Sequence, residues 1–133
     1  MKSFLLCPLL LIMLLFSNCK KEVTQVVQPN LTILTTLDPA NWKRDAASGV
    51  YYNEISVPEI DDHVVKTNGV LAYWTFDNAV YESLPDVLDG STVVCLYSKG
   101  LFTIELQNAD GSLPLPPPGV IGLKIVLINS DTQ

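Results

Sequence analysis

STVVCLYSKGLFTIEL, residues 91–106, decides the fold. Two apolar-rich runs flank Lys99-Gly100, and a two-residue turn needs a residue that accepts positive φ, which Gly100 supplies. Pairing about that turn sets Tyr97 against Phe102, Cys95 against Ile104 and Val93 against Leu106. All six side chains are apolar and share one face. A slip of one residue would turn that face to water, so core burial holds the register and predicts an antiparallel hairpin.

The β pattern extends in both directions. Upstream, Leu31 to Leu37 predicts a strand that ends at the turn signal Asp38-Pro39. Trp42 then lies in an irregular stretch, and Ala47-Ser48-Gly49 marks a second turn. Val50 to Val57 reads as a strand with Tyr51, Asn53, Ile55 and Val57 on one face and Tyr52, Glu54 and Ser56 on the solvated other. A short amphipathic helix is expected from Pro58, with acidic residues in its first turn, Ile60 and Val64 on one stripe, and Asn68-Gly69 as a left-handed cap. Val70 to Phe76 predicts an apolar strand, turned at Asp77-Asn78 into a second strand, Ala79 to Leu84, that Pro85 ends. Downstream, Asn108 to Gly111 forms a turn, and Pro114, Pro116, Pro117 and Pro118 impose an extended crossing. Ile121 to Ile128 closes the chain as a central strand, apolar on both faces from Ile125 onward. The expected fold is all-β: a β-sandwich of about seven short antiparallel strands with one short helix, occupying residues 31–133.

The first thirty residues have a different character. Phe4 through Phe16 is an unbroken apolar run behind Lys2. It makes about 20 Å of helix, too short to span a bilayer and suited to a secretory signal. Leu15-Phe16-Ser17-Asn18-Cys19 follows and resembles the lipobox of bacterial lipoproteins. Ser17 and Cys19 match that pattern, whereas Phe16 and Asn18 depart from its commonest choices. The resemblance implies a signal peptide over residues 1–18, diacylglyceryl and further acyl chains (palmitate, for example) on Cys19, and a polar tether over residues 19–30. Several chains together make a stable membrane attachment, at about 0.8 kcal/mol per buried methylene. Lys20, in place of a retention-signal Asp, points to the outer membrane, on its periplasmic or its cell-surface face.

Trp42, Tyr51-Tyr52, Ile55-Ser56-Val57-Pro58-Glu59-Ile60, Asn68-Gly69-Val70-Leu71-Ala72-Tyr73, Leu84-Pro85 and Leu123-Lys124-Ile125-Val126-Leu127-Ile128 form an ordered series over roughly residues 38–128. In this it resembles a group of uncharacterised Bacteroidota-type lipoproteins with a C-terminal β domain. Some of those proteins carry a collagen-like Gly-x-y stretch before the domain, and this chain has none. The resemblance implies an envelope location and supplies no catalytic residues.

A formal charge of −6, from 8 basic and 14 acidic residues, argues against a nucleic-acid partner. After processing and acylation Cys95 has no intramolecular partner, and its strand position reads as a core position. No serine sits in a nucleophile elbow. His63, the only histidine, lies beside Asp61 and Asp62 at spacings that diverge on a helix, so no metal site is expected. Asn108-x-Asp110-Gly111 has the opening of a Ca²⁺ loop without its distal carboxylate and reads as a plain turn. No cofactor is implied.

Aromatic residues are the one functional hint. Trp42, Tyr52 and Trp74 are the candidate ligand-binding residues, because exposed rings on a sandwich stack on sugar faces. Core anchoring is the favoured reading of the two tryptophans. The expected function is a lipid-anchored, non-catalytic binding or structural module of the envelope, with an envelope protein or glycan as partner. The alternatives are a carbohydrate-binding module of a surface glycan-uptake system and a small hydrolase.

Overall fold

The computed structural model describes residues 28–130. The signal segment 1–18, Cys19 and most of the 19–30 tether lie outside these residues. Two antiparallel sheets pack face to face. One carries β1 (Leu31–Leu37), β9 (Ile121–Ile128), β4 (Gly69–Thr75) and β5 (Glu82–Leu84), in that order. The other runs β2 (Lys43–Asp45), β3 (Val50–Ser56), β8 (Leu101–Asn108), β7 (Ser91–Ser98) and β6 (Asp86–Leu88). The chain is an all-β sandwich with nine strands among the described residues, rather than about seven. The two additional strands, β2 and β6, are three residues each, too short to show periodicity and defined by pairing alone.

The β7–β8 hairpin has the expected register: Tyr97 opposes Phe102, Cys95 opposes Ile104 and Val93 opposes Leu106. Burial along it is uneven. Phe102, Ile104, Leu106 and Val93 are buried, Cys95 is half-buried and Tyr97 is exposed. β8 is the middle strand of its sheet, whereas β7 lies one strand from the edge. Burial along β7 falls off toward the turn.

β9 is central, as expected, between β1 and β4. Ile121, Leu123, Ile125 and Leu127 point into the core, alternating with half-buried side chains. One of those is Lys124. Its ammonium lies 4.5 Å from the Tyr73 ring centre and 4.2 Å from that of Tyr81, so two aromatic faces accommodate a cation in a central strand.

Three local expectations are corrected. The helix, α1, spans Asp62–Thr67 and does not begin at Pro58. Before it, Val57 N–H donates to Gly100 O and Gly100 N–H to Ile60 O, fixing 57–60 as a turn against the hairpin tip. Asp61 is the N-cap and accepts from Val64 N–H at 2.8 Å. Ile60 and Val64 are both buried. The left-handed cap is absent: Asn68 has φ −91° and ψ 156°, and Gly69 already belongs to β4. Third, the paired part of the expected 79–84 strand is only Glu82–Leu84. Asp77 accepts N–H bonds from both Ala79 and Val80, which ties residues 77–80 into a turn. Pro85 ends β5, as expected, and the chain then crosses to the other sheet.

Loop aspartates recur as backbone acceptors. Hydrogen bonds from the Ser48 hydroxyl, Val64 N–H, Val80 N–H and the Ser112 hydroxyl hold Asp45, Asp61, Asp77 and Asp110, respectively, below the ordinary aspartate value of 3.8. A carboxyl depressed in the folded state contributes stability that is complete above its unfolded value. That contribution is lost as the pH falls through the folded value. The melting temperature is therefore expected to hold steady above about pH 5 and to fall below about pH 4. Asp77→Asn, which keeps an acceptor but does not titrate, should make that acid limb shallower in thermal melts across pH.

Candidate functional site

The outer face of the five-stranded sheet carries a group of accessible polar side chains. Strand alternation sends Tyr52 and Glu54 outward from β3 while Tyr51, Asn53 and Ile55 face in. Register aligns Lys43, Tyr52, Glu105 and Val94 in one row across four strands, with Glu54, Thr103 and Leu96 in the next. Tyr52, Glu54, Leu96, Thr103 and Glu105, with Arg44, Asp45 and Gln107, border a shallow depression of about 780 Å³.

Its electrostatics are mixed. Lys43 Nζ lies 2.6 Å from Glu54 Oε2 and 5.7 Å from the Tyr52 ring centre. The hydrogen bond to Glu54, and then its charge, raises the Lys43 pKa. Gln107 donates to Glu105 Oε2 at 3.0 Å. Arg44 forms no ion pair among the described residues. The floor thus offers one aromatic ring surrounded by carboxylate, amide and guanidinium groups, which suits a polyhydroxylated ligand.

The three aromatic candidates do not come together. Tyr52 stands on this face, half-buried. Trp74 is fully buried, 5.2 Å from Phe76 between ring centres, and Trp42 is 9% exposed within the same core. Neither tryptophan presents a face to a ligand, which corrects their place among the binding candidates. Their indole N–H groups are buried without a partner among the described residues. The core therefore uses these rings for apolar area. Arg44, Glu105 and Gln107 were not singled out by sequence. The available signal was the outward parity of β8, where Glu105 and Gln107 alternate with buried Ile104 and Leu106.

Other candidates resolve into local structure. His63 is exposed on α1 with the Thr67 hydroxyl 3.3 Å from its ring. The Asp110 carboxylate accepts from Ser112 N–H and Oγ–H, and Gly111 N–H donates to Asn108 O to close the turn. Among the described residues no group of three or more His, Cys, Asp or Glu side chains is placed to hold a metal. Burial raises the Cys95 thiol to about 11, leaving almost no thiolate at neutral pH. Maleimide should label Cys95 slowly at pH 7 and rapidly in denaturant, read by peptide mass spectrometry.

A second depression, of about 920 Å³, lies between Phe76, Leu88 and the Leu113–Pro118 segment. The expected proline crossing forms one wall. Comparisons with protein-family profiles, with curated protein sequences and with solved structures find no match.

Proposed function

We propose that this chain is a lipid-anchored protein of the cell envelope, held in the outer membrane through Cys19, and that it acts as a non-catalytic binding or structural module. The Bacteroidota-type lipoprotein resemblance belongs to the same proposal. One structural observation carries the reading. Asn129 bonds to Asn30 and Pro29, so both ends of the described chain meet at one end of the sandwich, beside α1. The 45–49 turn, the 108–111 turn and the proline segment lie at the other end, about 20 Å away along seven-residue strands. An anchor upstream of Pro29 would sit at the opposite end of the sandwich from the 45–49 and 108–111 turns that border the depression around Tyr52.

The test is fractionation. Cys19→Ala protein is expected to leave the membrane pellet, and a variant still fractionating with membranes would sink the anchor. A glycan ligand is the second reading, favoured by Tyr52 standing among Glu54, Glu105 and Gln107. Tyr52→Ala and Glu105→Gln should then abolish retardation in polysaccharide-containing gels. A parent chain retarded by no envelope or dietary polysaccharide overturns it.

A further inference from the structure

The four edge strands of the two sheets are protected unequally. β2 is three residues long and reads Lys-Arg-Asp. β5 is three residues and runs into Pro85, and β6, also three residues, starts just after it with Asp86. Short length, charge and proline are the usual guards against edge-to-edge pairing. β1 has none of them. It is seven residues, Leu-Thr-Ile-Leu-Thr-Thr-Leu, without a charge, proline or glycine. One edge pairs with β9 along all seven residues, and the other meets no strand among the described residues. Leu34 and Leu31 remain 68% and 44% exposed on it.

We propose that β1 is a dimerisation edge: two copies of this chain pair antiparallel through β1, about a two-fold axis at Leu34, joining two four-stranded sheets into one. Two observations select a second copy as the occupant. First, the strand is nearly its own mirror under reversal. An axis at Leu34 sets Leu34 on Leu34, Ile33 on Thr35, Thr32 on Thr36 and Leu31 on Leu37. The pairs are Leu on Leu and Thr on Thr except for Ile33 on Thr35; Ile33, Thr35 and Leu37 are the more buried positions of β1, and Leu31, Thr32, Leu34 and Thr36 are exposed. A two-fold interface needs this self-complementarity of residue type. Second, each copy carries a formal charge of −6, so most approaches bring like charges together. Along the uncharged β1 edge two acidic copies can meet without charges directly opposed.

The test uses the whole chain with single cysteines introduced on exposed positions. Leu34→Cys, treated with a short bis-maleimide, is expected to yield a covalent species of twice the chain mass above the parent-chain background. Val87→Cys is the control: Val87 is 65% exposed, against 68% for Leu34, and lies on the other sheet. Mixed Thr32→Cys and Thr36→Cys chains should crosslink to each other, and neither should crosslink alone. Equal crosslinking at Leu34 and Val87, or a Leu34 adduct of any other mass, overturns the proposal. As an independent readout, the detergent-extracted chain should sediment as a dimer and Leu34→Lys as a monomer, with Val87→Lys still dimeric. A monomeric parent or a dimeric Leu34→Lys chain equally overturns it.

Discussion

Phe102→Ala is expected to lower the unfolding free energy by about 3–5 kcal/mol, a large share of the 5–15 kcal/mol available to a domain of this size. Phe102 is 1% exposed on β8, the middle strand of the five-stranded sheet, where it opposes Ile55 on one side and Tyr97 on the other. Its ring fills space between the two sheets. Neighbouring strands are held by ladders on both flanks and cannot collapse into the vacated volume. The transfer cost and the cavity cost therefore add. Urea unfolding followed by tryptophan fluorescence measures this, with Trp74 a reporter inside the same core. A loss under about 1 kcal/mol would mean that the sheets do not close over this position.

Gly122→Ala should cost about 1–3 kcal/mol, the range for overpacking, and the position allows an unusually specific check. A Cβ on Gly122 would stand 2.7 Å from Thr75 Cγ2 and 3.1 Å from Asn78 Oδ1. Thr75 is opposite Gly122 in the β4–β9 ladder, is 1% exposed, and donates its hydroxyl to Asp77 Oδ1 at 3.2 Å. It cannot swing aside without giving up that bond. Thr75→Ser removes the obstructing methyl and keeps the hydroxyl. The double variant Gly122→Ala/Thr75→Ser should therefore recover much of the loss. A double-mutant cycle reads the coupling directly, and strict additivity would show that the clash is relieved elsewhere. The glycine serves close approach of strands here rather than a turn.

Legibility varied with how many constraints met at each place. In the β7–β8 hairpin, turn chemistry and six apolar partners agreed, so strand positions and register followed from residues 91–106 alone. For β4 and β5 the sequence offered Asp77-Asn78 as a turn without an apolar match to fix the pairing. The structure ties 77–80 into an aspartate-bonded turn and pairs only three residues. α1 was visible through Ile60 and Val64, but its start depended on Gly100, forty residues away in the chain, capturing the Ile60 carbonyl.

By itself the sequence determined the β class, the central place of Ile121 to Ile128, the hairpin about Lys99-Gly100 and the surface-facing parity of Tyr52 and Glu54. These rest on alternation and turn chemistry, which act over a few residues. Only the tertiary structure decided which strands share a sheet, that Lys43 to Asp45 and Asp86 to Leu88 are strands at all, and that Trp42 and Trp74 are enclosed while Tyr52 is not. It alone assembled Arg44, Tyr52, Glu54, Glu105 and Gln107 from three strands into one depression. Burial and grouping depend on which side chains lie across the sheet and between the sheets, and residues far apart in the chain supply them.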